Sequence, residues 1–216
     1  MTTDTQAPRW QRRPDARPEE LLDAAALVFG EHGFARARLE DVARRAGVSK
    51  GTVYLYFDSK ESLFREMVRA KLVSAVAAAE EMVRTHTGTA RDLLIELVRG
   101  YWQVMRKEQM VRISRLCVSE LGSFPEIAKF YYEEVILRAR RLVQTVIDRG
   151  IQSGEFRTVP HNFVTRGLPM LVIQAAQAQC FFSQIDTEAL SDDQVFEGVL
   201  DMLLHGILAR PTSAAA

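Results

Sequence analysis

The chain has 216 residues, enough for one or two domains with buried cores. Hydrophobic residues make up 47% and charged residues 26%, which excludes a disordered chain. Lys plus Arg and Asp plus Glu number 28 each, so no global positive charge points to nucleic acid, and a DNA-binding reading must rest on where the charges sit. Cys117 and Cys180 are too few and too far apart for a disulfide framework or a zinc finger, and both read as buried, apolar-like thiols. No apolar run reaches the roughly 20 residues of a membrane span. Met1 to Trp10 lack the apolar stretch of a secretory signal, so a cytoplasmic protein with no membrane partner is expected.

Glycine and proline are scarce, apolar residues recur every three or four positions, and alternating β-branched runs are missing. This predicts an all-α chain. Residues 1–17 read as a flexible arm carrying Arg9, Arg12, Arg13 and Arg17 among prolines. Such an arm is either a solvated tail or a basic extension reaching DNA phosphates or the minor groove. The first helix is expected from Pro18 to His32, with Leu21, Leu22, Ala25, Val28 and Phe29 as its apolar stripe. Gly33 stops it, and Phe34 packs back on Phe29. A short second helix fits Leu39 to Ala46 and ends at Gly47 in a left-handed cap. Ser49 caps a third helix, Lys50 to Phe57, with Val48 and Val53 forming a hydrophobic staple. Two helices joined by Gly47-Val48-Ser49 behind a longer support have the spacing of a helix-turn-helix. A fourth helix starts after Asp58 or Ser59, with an Asp58–Glu61 capping box, and runs as a long connector to about Thr85–Thr89. Five more helices are expected near Ala90–Lys107, Met110–Glu120, Pro125–Ser153, Asn162–Ser183 and Asp192–Leu208. Residues 209–216 read as a disordered tail.

The third helix carries the chemistry. Val53 and Phe57 face the core, leaving Lys50, Gly51, Thr52, Tyr54 and Tyr56 at or beside the outer face. Lysine donates to guanine O6 and N7, and threonine offers a methyl to thymine. Glycine lets the backbone approach a phosphate, and tyrosine hydroxyls donate to phosphate oxygens. Lys60 adds a cation at the next helix start, where free amides also attract phosphate.

Residues Pro18 to Met67, and above all the run Asp41 to Leu63, resemble the DNA-binding domain of TetR/AcrR-type regulators. The resemblance implies a homodimer of about nine helices per subunit. It would have a three-helix head at 18–64 and a ligand-binding and dimerisation domain at 65–208. It also implies a four-helix dimer bundle from the last two helices, and DNA contacts at the positions of Ser49, Lys50, Gly51, Thr52, Tyr54, Tyr56 and Lys60. One departure stands out. Ala37 and Arg38 replace the threonine-serine pair common before the second helix, so the cap there is weak and Arg38 is a candidate replacement for the phosphate contact.

The C-terminal part offers Trp102, Met105, Met110, Cys117, Phe130, Tyr131, Met170, Gln174 and Gln177 as candidate pocket residues, an adaptable lining with amides to orient a ligand. Val172, Ala175, Ala176, Phe182, Phe196, Val199, Leu200, Leu203 and Ile207 are the candidate dimer face. His32, His86, His161 and His205 show no metal spacing, and no cofactor is called for. The expected function is a sequence-specific regulator, by default a repressor, released from a palindromic operator by a small apolar or amphipathic effector. The spacing of its two heads, about 34–36 Å for adjacent major grooves, would be what the ligand changes. The rivals are a ligand-independent DNA binder of the same fold and a helical enzyme with an appended head. For the enzyme, Glu120, Tyr131 and His161 lie on separate segments with no nucleophile–base or metal motif joining them.

Overall fold

A computed structural model of the chain describes residues 18–188 and 190–208. The arm expected at 1–17 and the tail expected at 209–216 lie outside the described residues. Among the described residues there are nine continuous helical runs. The first three are α1 (Pro18–Arg36), α2 (Leu39–Ala46) and α3 (Lys50–Tyr56). Next, α4 runs through Lys60–Val68, a π-helical turn Arg69–Val73, and Ser74–Thr85. It is followed by α5 (Ala90–Met105) and α6 (Glu108–Glu120). Then α7 combines Pro125–Tyr131, a π-helical turn Tyr132–Leu137, and Arg138–Ser153, before α8 (His161–Phe182) and α9 (Asp192–Ile207). The all-α class and the helix order agree with the sequence reading. Two compact units divide between Ala70 and Lys71, inside the π-helical turn of α4.

Three phenylalanines hold the first unit together. Phe29 and Phe34 stack with centroids 5.6 Å apart, and Phe64 of α4 meets them edge-on at 5.4 and 5.2 Å. Such pairs add about 0.5–1.5 kcal/mol each beyond area burial. Gly33 makes the stack possible. Its φ of 77° and ψ of 162° break α1, so Phe34 turns back onto Phe29 before one further helical turn reaches Arg36. Leu21, Val42, Val53, Leu63 and Met67 of the same unit are also fully buried.

In the second unit, α5 is central. It packs against α6, α8, α9 and the second segments of α4 and α7. Its buried residues Leu93, Leu94, Leu97, Val98, Trp102 and Met105 follow the three-and-four spacing of an amphipathic helix. The α5 N-terminus is capped twice. Thr89 Oγ1 accepts from the Asp92 amide at 3.0 Å, and the Glu155 carboxylate accepts from the Arg91 and Ala90 amides at 3.0 and 3.1 Å. Arg149 of α7 donates to the carbonyls of His86 and Gly88, tying the same loop from the other side. Beyond Gly154, Phe156 folds back over Gly150, where an added Cβ would lie 2.0 Å from the phenyl ring, so only glycine fits there. Arg157 then donates through its backbone and guanidinium to the end of α9.

Glu155 is held below the ordinary glutamate range, first by the Arg91 amide and then by those of Ala90 and the Ser153 hydroxyl. A lowered folded value means that the stabilisation is complete above the unfolded value and fades as pH falls through the folded one. Glu155→Gln is therefore expected to lose about 1 kcal/mol at neutral pH, after solvent screening. The gap to the wild type should narrow below about pH 4. Denaturant melts of both proteins across that range check this, and a gap independent of pH would remove the ionic cap.

Candidate functional site

The geometry of the head follows from one left-handed residue. Gly47, at φ 70° and ψ 27°, ends α2. Its amide donates to Arg44 O at 3.2 Å and the Val48 amide donates to Ala43 O at 3.0 Å, the paired bonds of a Schellman stop. Ser49 then caps α3, its Oγ accepting from the Thr52 amide at 3.2 Å and lying 2.9 Å from Thr52 Oγ1. Val48 and Val53 are both buried, as a staple requires. The cap of α4 differs from the expectation. Ser59, not Asp58, accepts from the Ser62 amide at 3.0 Å, because Asp58 stands one residue too early.

With Val53 turned fully inward, the 100° step of an α-helix places Gly51 and Leu55 about 200° away, on the outermost line. Leu55 is 83% exposed, between the exposed Tyr54 and Tyr56. The sequence reading missed Leu55, although its position opposite Val53 was the available signal. Lys50 is exposed, with its ammonium 5.5 Å from the Tyr54 ring centre and ion-paired to Glu40 of α2. Arg38 is exposed at the α2 N-cap and makes no side-chain cap bond there, as the missing hydroxyl pair implied. Lys60 is engaged within its own unit. Its ammonium donates to Ala35 O at 3.0 Å and sits 4.7 Å over the Phe34 ring.

In the second unit, Trp102, Met105, Met110 and Cys117 are buried, with Trp102 lying 6.0 Å from Phe196. Phe130 is half-buried. Tyr131 is half-buried over its whole surface, and its hydroxyl faces the Cys117 thiol and Tyr101. Burial pushes the Cys117 thiol up to about 12 and raises both phenols, so all three stay neutral. Gln177 donates to Ser114 Oγ at 3.2 Å, and Ser114 donates to Val111 O at 2.9 Å. The interior expectation fails at Met170, which is 63% exposed, and at Gln174, also exposed. Both point about 200° from Val172, the residue that α8 turns inward.

The candidate dimer face needs a larger correction. Val172, Ala176, Phe196, Val199, Leu200 and Ile207 are buried inside the subunit and cannot be covered again by a partner. Ala175 and Leu203 are half-buried, and Phe182 is exposed. What α8 turns outward is the stripe Phe163, Met170, Gln174, Ala178 and Phe181. On α9 it is Gly198, Met202 and Gly206, with open space around both glycines.

A three-helix head whose third helix presents its outer face across a tight left-handed turn, joined to an all-helical second unit, is the architecture of a one-component transcription regulator. Comparison with known proteins agrees. Residues 21–67 match the bacterial regulatory proteins of the tetR family, and residues 92–205 match the AefR-like transcriptional repressor C-terminal domain. The fatty acid metabolism regulator protein of Bacillus subtilis is 25% identical over 206 residues, covering 91% of this chain and 97% of the relative. The HTH-type transcriptional repressor KstR2 of Rhodococcus jostii is 30% identical over 142 residues, 66% of this chain and 69% of the relative. The crystal structure of FadR from Bacillus subtilis in complex with stearoyl-CoA aligns with a TM-score of 0.74 at 20% identity, covering 88% of this chain and 99% of that one. The chain belongs to the TetR family of transcriptional regulators.

Because Lys60 ties the end of α1 to the start of α4, Lys60→Ala is expected to loosen the head itself by about 1 kcal/mol. Amide exchange in the segment from Phe34 to Leu39, measured without DNA, should speed up several-fold. Unchanged exchange with weakened DNA binding would give Lys60 to the phosphates alone.

Proposed function

We propose that this protein is a homodimeric repressor that grips a palindromic operator and releases it when an amphipathic small molecule enters the second unit. The observation that carries the DNA reading is the outer face of α3. Lys50, Gly51, Tyr54, Leu55 and Tyr56 stand clear of the core, with the half-buried Thr52 among them, on a helix anchored by Val53. Short exposed helices are rarely furnished with a lysine, a bare backbone, a hydroxyl and two phenols unless something reads them. Ser49 and Arg38 flank the face and complete the contact set. Tyr54 and Tyr56 serve phosphates, Lys50 a guanine, and the Leu55 and Thr52 methyls the thymine methyl.

The effector reading rests on the interior of the second unit, where Cys117, Trp102, Met105 and Met110 are buried and the half-buried Tyr131 and Tyr101 phenols face the Cys117 thiol. Neutral hydroxyls among apolar and methionine side chains suit a ligand with a long hydrocarbon part and one polar group, such as the thioester end of an acyl-CoA. The likeness to a regulator crystallised with stearoyl-CoA supports that class. Ligand binding then shifts the population between arrangements that match the operator and arrangements that do not. A cytoplasmic site of action follows from the same role.

Two-fold pairing is assigned to the outward stripes of α8 and α9. Gly198 and Gly206 let a partner helix approach closely around Met202, while Phe163 and Met170 supply apolar area. Met202→Asp is expected to yield a monomer by sedimentation equilibrium, with operator affinity down at least about tenfold because only one half-site is then held. A dimer that survives this change would move the interface elsewhere. Adding stearoyl-CoA to the wild-type complex with a duplex selected from a random pool should lower affinity by about 5- to 150-fold and raise the melting temperature. If acyl-CoAs of all chain lengths change neither, the ligand-independent regulator is the better reading.

A further inference from the structure

We propose that Glu40, on α2 and outside the recognition helix, is a specificity-determining residue that acts by tethering Lys50. The Glu40 carboxylate reaches across the turn between α2 and α3 and binds the Lys50 ammonium, which also lies over the Tyr54 ring, 5.5 Å from its centre. Both side chains face solvent, with Lys50 57% and Glu40 42% exposed, so the pair stands on the surface that meets DNA rather than in the core. The two charges support each other. The hydrogen bond from Lys50 holds the Glu40 carboxyl below its ordinary range, and Glu40 holds the lysine above its own.

An ammonium has three N–H donors. One held by Glu40 leaves two, the number needed for O6 and N7 of a single guanine. In the matched complex the tether therefore persists and aims Lys50 at a base edge. On unrelated DNA no guanine waits at that place, and Lys50 gains a partner only by swinging to a phosphate. That swing breaks the tether and leaves the Glu40 carboxylate, with Arg38 as its remaining nearby cation, facing the phosphate backbone without its ion-pair partner. Glu40 thus penalises sequence-independent binding while leaving the matched complex intact, a discrimination by repulsion against the wrong partner. A free lysine would instead follow the phosphates everywhere, since backbone attraction carries most non-specific affinity.

The inference rests on the DNA-binding reading of α3, which selection of a duplex from a random pool by the wild-type protein tests separately. With that duplex and a scrambled one of equal composition, affinities are measured over a salt series for the full-length wild type, Glu40→Gln, Glu40→Asp, Lys50→Gln and the double variant. Glu40→Gln is expected to raise affinity for the scrambled duplex about three- to tenfold and to steepen its salt slope by about one counterion. Affinity for the selected duplex should stay level or fall. Glu40→Asp keeps the charge but withdraws it by one methylene, and should lose specificity in the same direction. In the Lys50→Gln background the Glu40 change should have no effect. The proposal is overturned if the ratio of the two affinities is unchanged in Glu40→Gln. It is equally overturned if Glu40→Asp keeps the wild-type ratio, or if the effect persists without Lys50, since either result assigns the change to the general field of the carboxylate.

Discussion

The outward face of α3 depends on Gly47. A helix of seven residues is far too short to persist in water, because nucleation costs more than its few hydrogen bonds return. α3 exists because its start is fixed by the left-handed turn and the Ser49 cap, and because Val53 is driven into a core already nucleated by three phenylalanines. A Cβ at Gly47 would meet nothing within 4 Å, so the requirement lies in the backbone angle and not in space. Any residue that resists positive φ would rotate α3 about its own start.

The second unit is held by a different logic. α5 is wrapped by its neighbours, and its exposed beginning is secured by two remote side chains, Glu155 and Arg149, that arrive from the end of α7. The close seat of Phe156 on Gly150 fixes where the chain leaves α7, and Arg157 fixes where α9 ends. The bonds of Glu155, Arg149 and Arg157 join positions 49 to 65 residues apart, and so tie α5, the end of α7 and the end of α9 together.

The sequence showed the head almost residue by residue because its signals are local. A glycine stop, a serine cap and a staple valine each act within four positions, and the structure keeps all three. Lys60 was harder to read, since nothing in its neighbourhood announces a bond to a carbonyl 25 residues earlier. The last two helices were misread for a physical reason. α8 carries apolar side chains around its whole girth, Val172 and Ala176 inward and Phe163 and Met170 outward. A stripe can be assigned from periodicity only where the opposite face is polar. The glutamines illustrate the same limit. Gln174 and Gln177 stand three residues apart, about 60° on the wheel, and that angle separates a solvated amide from one bonded to Ser114.

A chain of zero net charge that binds a polyanion must draw its attraction from local arrangement. In the head four of the cations are already in partnership: Arg44 with Asp41, Arg45 with Glu31, Lys50 with Glu40 and Lys60 with the Ala35 carbonyl. Every phosphate contact such a group makes is an exchange of one partner for another, so the net gain per contact is smaller than for a solvated lysine. If α3 reads DNA as proposed, weak attraction to arbitrary DNA is expected, with a larger share of the affinity from shape, hydroxyls and the methyls of Leu55 and Thr52. Those contacts do not release counterions, so they hold at physiological salt where purely ionic binding is screened. On that reading, internal pairing lowers affinity for DNA in general while favouring the one sequence that fits.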